Sequence, residues 1–218
     1  MQDLLGTHPV VIFLVIAAVF GGGSLYLVWK RRKDIEAMAA SMGLIFAQEG
    51  PDPAALAAAG LELFSLGRSR RAFNMVEVQS QHGAVKLFDY SYTIGSGKSR
   101  SVRRHTVALM ACGGDIPRFD LKPETLMYKL GEMIGFKDID LPEFPLFSDK
   151  YRLTGPDEER VRAFFGSRRA AWFEQNLGLM VQGAPGFLLL IKQRGLLSPG
   201  EWPGFIEEAK AFAAELLR

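Results

Sequence analysis

Asn74-Met75-Val76-Glu77-Val78-Gln79-Ser80, then Gln81-His82-Gly83, then Ala84-Val85-Lys86-Leu87-Phe88-Asp89-Tyr90-Ser91-Tyr92-Thr93, is the stretch on which the fold class turns. From Leu61 onward the apolar period moves towards two, which places alternate side chains on opposite faces of a strand. The two runs read as strands 74–80 and 84–93, joined by a glycine-containing hairpin turn. A third strand over roughly 104–112 follows the glycine- and serine-rich loop 95–101 and stops at Gly113-Gly114. Further on, 179–182 and 187–193 form a second hairpin across Gly183-Ala184-Pro185-Gly186.

Helices alternate with these hairpins. Pro51-Asp52-Pro53 opens an alanine-rich helix over 54–59, closed by Gly60. Another helix is expected from Lys122 or Pro123 to about Ile134. Residues 137–147 read as an extended connection, and Tyr151-Arg152-Leu153 as a short strand. Gly155-Pro156-Asp157-Glu158-Glu159 is a helix start, with acids at the positive end of the dipole. Its apolar face is Val161, Phe164 and Phe165; a break near Gly166-Ser167 leads to a second helical stretch through Trp172 and Phe173. The final helix begins near Pro203 and carries Phe205, Ala209, Phe212 and Leu216 on one face, beside Ile206, Ala213 and Leu217. That face needs a sheet to cover it.

The fold class is therefore α+β, with antiparallel hairpins packed against helices in a domain over 44–218. Helix, hairpin and helix occur twice, around 53–93 and 157–217. This divides the domain into possible similar halves, 44–135 and 148–218; convergent use of a common unit is the simpler account.

Ahead of this domain, Pro9 to Trp29 are 21 consecutive residues without a charge, running straight into Lys30-Arg31-Arg32-Lys33. At about 1.5 Å of rise per residue they would span roughly 31 Å, a bilayer's hydrocarbon thickness. The expectation is a transmembrane helix over 9–29, with residues 1–8 a short extracytoplasmic N-terminus. A cleavable signal peptide fits less well, because Met1-Gln2-Asp3 supplies no leading cation and four cations follow the apolar run. The positive-inside rule then puts the N-terminus out and the domain in the cytoplasm, making the segment a single-pass signal-anchor. Ile35, Met38, Ala39 and Met42 continue the helical spacing as a basic juxtamembrane extension over 30–43, ending at Gly43. Within 9–29, Ala17 and Gly21, and Ala18 and Gly22, fall four apart, a spacing that suits helix–helix contact in a membrane.

Composition narrows the function classes. Hydrophobic residues make up 48% and charged residues 23%, as in a globular protein. The formal net charge of +2 is unevenly spread, with the cationic excess lying in residues 30–112. One cysteine excludes an internal disulfide and a cysteine-rich metal cluster. Three histidines leave little material for a catalytic or metal centre, so no catalytic residue, metal ligand or cofactor is assigned.

Several motifs are weighed and set aside. Gly95-Ser96-Gly97-Lys98-Ser99 imitates the end of a phosphate-binding loop, but Tyr92 stands where the first glycine belongs. A strand, and not an apolar helix, is expected to follow it. Cys112 and His105 lie seven positions apart on one expected strand, which would turn them to opposite faces. Cys112 between Ala111 and Gly113 reads as a small buried residue. Asp138-Ile139-Asp140 lacks the dense oxygen-ligand spacing of a calcium loop. The cations Arg68, Arg70 and Arg71, and Lys98, Arg100, Arg103 and Arg104, join Lys30, Arg31, Arg32 and Lys33 as the expected contact with anionic lipid headgroups or a partner. No nucleic-acid module accompanies them, so no nucleic-acid partner is expected.

Pro142-Glu143-Phe144, Tyr151-Arg152-Leu153-Thr154-Gly155 and Asp157-Glu158-Glu159-Arg160-Val161-Arg162-Ala163-Phe164-Phe165 resemble a group of bacterial single-pass membrane-anchored proteins of unknown function. Lys86-Leu87-Phe88-Asp89-Tyr90-Ser91-Tyr92-Thr93 looks like the strand that precedes that stretch in such proteins. The resemblance implies a bacterial inner-membrane location and carries no activity, cofactor or catalytic position. The functional expectation is a membrane-anchored, non-enzymatic binding or accessory protein, for instance a subunit of an inner-membrane complex. Its partners would be the lipid bilayer and a membrane protein met through the anchoring helix. The alternative is a membrane-tethered enzyme acting on a lipid or small molecule, which would need a pocket converging on Cys112, His105 or Asp89.

Overall fold

The hairpin at the centre of the sequence is longer than its apolar alternation indicates: β2 spans Arg68–Ser80 and β3 spans Gly83–Ile94. The computed structural model describes residues 9–81, 83–113, 115–124, 137–192 and 195–216; within the first helix, the side chains of residues 9–21 and 24 lie outside that description. The chain order is α1 (Pro9–Ser41), β1 (Ile45–Glu49), α2 (Pro53–Ala58), α3 (Glu62–Ser65), β2, β3, β4 (Ser101–Ala111), β5 (Phe119–Pro123), α4 (Pro145–Lys150), β6 (Tyr151–Thr154), α5 (Glu158–Gln175), β7 (Met180–Ala184), β8 (Phe187–Ile191) and α6 (Trp202–Leu216).

The eight strands make one sheet in the order β1-β2-β3-β4-β8-β7-β5-β6. Every neighbouring pair is antiparallel. The sheet is continuous across the two expected halves, because β4 pairs with β8 from Val107–Ile191 to Ala111–Phe187.

Strand alternation feeds two cores. On one face Val76, Val85, Leu87, Ala108, Leu188 and Leu190 meet α1, α5 and α6. On the other, Phe88, Tyr90, Val107, Leu109 and Leu189 meet Leu56, Leu63 and Phe64 of α2 and α3. Of the expected apolar face of α6, Phe205, Ile206, Ala209, Phe212, Ala213 and Leu216 all lie in the first core, and Leu217 lies outside the described residues. Trp172 and Phe173 meet Phe212 edge-on at 5.7 and 6.4 Å. The break in α5 sits at Gly166, whose φ of 46° and ψ of −177° a side chain would strain. At Gly183 a Cβ would lie 2.2 Å from the Phe119 ring, so β7 accepts that ring only with glycine there.

Some expectations are corrected. Phe119–Pro123 is strand β5, where a helix was expected to start at Lys122 or Pro123; the rest of that expected helix, 125–134, lies outside the described residues. Residues 145–150 form α4, which begins inside the stretch 137–147 expected to be extended. β1 at the sheet edge was not expected at all.

The N-terminal segment differs most. α1 is one helix of 33 residues. Among the described residues, no helix is long and apolar enough to cross a membrane. This overturns the transmembrane helix over 9–29, and with it the single-pass signal-anchor and the inner-membrane, N-out placement. The physical reason is visible at the four cations. As a stop-transfer flank they would all stay free at headgroup level, yet Arg31 turns into the domain and Ile35 and Ala39 are fully buried. Arg31 is part of the folded domain, while Lys30 and Lys33 stay exposed on α1.

Candidate functional site

β3 carries a carboxylate in its interior. Asp89 is 0% exposed, and an isolated buried carboxylate is costly unless paired and hydrogen-bonded. Arg31 supplies the pairing: its Nε donates to Oδ2 and its Nη2 to Oδ1, both at 2.9 Å. Asn74 Nδ2 donates to Oδ2 at 3.0 Å, and the Thr106 hydroxyl donates to Oδ1 at 2.8 Å. The remaining Arg31 nitrogen, Nη1, donates to the Leu197 carbonyl at 2.7 Å, and the Leu197 N–H donates to Thr106 Oγ1 at 3.0 Å. Five segments are thereby tied to one carboxylate or its immediate partners.

Asn74 reaches Asp89 because the backbone is bent there. Pairing of β2 with β3 is interrupted between Phe73 and Val76, and Asn74 has φ of 53°. Asparagine tolerates this left-handed region better than most residues, and bulges commonly re-aim a side chain.

The clamp fixes where α1 leaves the domain. Ile35 and Ala39 share a core with Val76, Val85 and Leu87. One turn earlier Arg31 meets Asp89, two positions further along β3. A further turn back brings Leu27 and Val28 to the level of Ser91, since four helical residues and two strand residues both cover about 6 Å. Leu25, Tyr26, Leu27, Val28 and Trp29 stand there between 52% and 72% exposed.

The same end of the sheet gathers cations. Arg71, Ser91 and Arg104 are in register across β2, β3 and β4. They face α1, because their neighbours Ala72 and Tyr90 belong to the opposite core. Arg68 sits opposite Thr93, and Lys98 and Arg100 lie in the β3–β4 connection. Among the described residues, Arg68, Arg71, Lys98, Arg100, Arg103 and Arg104 form no ion pair.

The expected contact set is therefore divided. Arg31 is withdrawn from the surface, its side chain only 16% exposed. Arg70 closes the α3–β2 turn by donating to the Ser65, Leu66 and Gly67 carbonyls. Lys30 and Lys33 pair along the helix with Asp34 and Glu36. Arg103, opposite Tyr92, faces away from α1. Of the small residues, Gly22 is exposed, while the side chains at Ala17, Ala18 and Gly21 lie outside the description.

The residues an enzyme would have needed do not converge on a described cavity. Asp89 is saturated, as above. His105 stacks on Tyr92 with ring centroids 6.0 Å apart. Cys112 is buried against the Met110 carbonyl, and burial pushes its thiol up to about 11, away from thiolate. An open groove of about 410 Å³ lies between the β4–β5 connection and α5, lined by Asp115, Ile116, Arg160, Phe164, Arg169 and Leu216 among others. Arg160 there pairs with Asp115. Arg169 covers the Phe164 ring at 4.3 Å and donates Nε and Nη2 to the Leu216 carbonyl, closing the end of α6; burial lowers its pKa. A second groove of about 380 Å³ lies beside Leu141, Phe144 and Arg162. Neither is lined by Asp89, His105 or Cys112. Among the described residues no group of three or more His, Cys, Asp or Glu could hold a metal ion.

No protein family matches this chain, and no curated protein matches it in sequence. A solved structure does match in fold. The chain is similar to the mycobacterial trehalose monomycolate transport factor A, TtfA, with a TM-score of 0.56 and 16% identity. The match covers 87% of this chain and 93% of that one. At this identity the likeness establishes a shared fold.

Sequence reasoning missed the clamp. The available signal was Asp89 itself, a carboxylate set between Phe88 and Tyr90 in an apolar strand. Which cation answers it could not be read, because Arg31 is one of four adjacent basic residues.

Proposed function

We propose that the chain is a non-enzymatic binding or accessory protein whose contact surface is the end of the sheet from which α1 emerges. One observation carries this reading: the five consecutive apolar residues Leu25–Trp29 are exposed on a helix held rigidly by the Arg31–Asp89 pair. A contiguous apolar stretch of this kind marks an interaction site more often than a bare surface. The fixed exit angle suits presentation, since a preorganised element loses little freedom on binding. TtfA is by name a transport factor, and the shared fold adds a reason to look for an accessory role. Neither described groove is lined by Asp89, His105 or Cys112, the residues on which the enzyme alternative would rely.

The test is shielding. In a Cys112→Ser background, a thiol placed by Tyr26→Cys should label freely in the purified protein and slowly in intact cells. Equal labelling in both settings sinks the reading, and labelling of an exposed control site on α5 corrects for reagent access.

A further inference from the structure

Resting on that contact surface, the geometry points to an anionic lipid surface as its occupant, met peripherally by Leu25–Trp29 together with Arg71, Lys98, Arg100 and Arg104. The first argument is angular. Five consecutive helical residues at 100° each pass once around the axis, so the exposed apolar surface is a collar. A protein groove covers one stripe of a helix, at spacings of three and four. A fluid apolar medium surrounds the helix on every side.

The second argument is residue type. Tyr26 and Trp29, whose rings lie 6.0 Å apart, are the residue types favoured at such an interface.

The third argument is charge. Arg71 and Arg104 flank Ser91 on the face that α1 crosses, and Lys98 and Arg100 extend the same edge. None of the four has a carboxylate partner among the described residues. Unpaired cations around an apolar collar complement phosphate headgroups around an acyl layer. Each cation near an anionic leaflet is worth roughly a fivefold change in affinity, and the attraction decays within about 8 Å at physiological salt. The withdrawal of Arg31 into the core leaves the remaining cations at the rim and the collar in front of them.

Flotation of the full-length protein with vesicles tests this. Phosphatidylcholine vesicles are compared with mixed phosphatidylcholine–phosphatidylglycerol vesicles while salt is raised from about 0.05 to about 0.5 M. Binding to the mixed vesicles should be at least about tenfold tighter and should fall towards the neutral level at high salt. The quadruple variant R71Q/K98Q/R100Q/R104Q should lose that preference while melting unchanged, because these side chains are exposed. Leu27→Ser with Trp29→Ser should weaken binding to both vesicle types. Equal affinity for both compositions, or none for either, overturns the inference. So does binding to polyglutamate with no vesicle preference, which would identify an acidic protein surface. If the Tyr26→Cys thiol stays shielded in cells while vesicles fail, the contact surface stands with a different occupant; an open thiol removes the surface itself.

Discussion

Arg31 and Asp89, 58 positions apart, meet through two parallel N–H···O bonds of 2.9 Å, one to each carboxylate oxygen. The bidentate geometry suits a planar guanidinium, and lysine could not reproduce it. Removing one member of a buried pair strands the other, at a cost of about 3–5 kcal/mol. Arg31→Met and Asp89→Asn should each destabilise the fold on urea unfolding, Arg31→Met more severely. The double variant should fall short of the sum by about 0.5–3 kcal/mol, the coupling expected of contacting residues. Strict additivity would mean that the two side chains are not coupled in solution.

Asn74 separates backbone strain from hydrogen bonding. Its φ of 53° and its 3.0 Å bond to Asp89 Oδ2 are independent requirements. Asn74→Gly keeps the conformation and loses the bond, costing about 1.5–3 kcal/mol for a partner that is charged. Asn74→Ala loses the bond and adds left-handed strain of about 1–2 kcal/mol. Melting temperatures should therefore rank wild type above glycine above alanine. An alanine variant as stable as the glycine variant would remove the strain argument.

The last helix shows what was legible in the sequence. Phe205, Ala209, Phe212 and Leu216 recur at helical spacing, and all are buried. The first part of β2 was not legible, because Arg68, Ser69 and Arg71 lie at an exposed end where no core imposes an apolar pattern. β1 escaped for a related reason: it is an edge strand with Ile45 74% exposed. In the clamp, Arg31, Asn74, Asp89 and Thr106 sit on four separate elements, and spacing rules describe only neighbours within one element. The length rule for membrane helices treats an apolar run by itself, whereas α1 continues through Arg31, Ile35 and Ala39 into the core.

Phe212 is the natural probe of α6. It is fully buried and meets both Trp172 and Phe173. Phe212→Ala should cost about 3–5 kcal/mol, since the ring is lost and the surrounding aromatics cannot collapse fully into the space. A loss below about 1 kcal/mol would show that α6 is only loosely docked.

Cys112 should be inert. With its thiol pushed up to about 11 by burial, almost no thiolate exists at neutral pH. Iodoacetamide should modify the folded protein far more slowly than the urea-unfolded chain at the same pH. Rapid alkylation of the folded protein would contradict the buried placement.

Asp138 gives a pH dependence of defined sign. Its Oδ1 accepts the Leu153 N–H at 3.1 Å, and burial, outweighing that bond and Arg152, raises its pKa above the ordinary 3.8. A carboxyl group with a raised pKa binds its proton more readily in the folded state than in the unfolded one. Its contribution to stability is therefore greatest in acid and declines as pH rises from 3.8 through the raised value. Asp138→Asn keeps an oxygen acceptor for Leu153 and removes the charge that burial disfavours. The variant should be at least as stable as wild type at pH 7, by less than about 1 kcal/mol because the site is partly open to water. The difference should close below the unfolded pKa, where the wild-type carboxyl is neutral in both states. Chemical denaturation at matched pH values checks this. An Asp138→Asn variant clearly less stable at pH 7, yet equal in acid, would show that attraction to Arg152 outweighs desolvation and would reverse the sign.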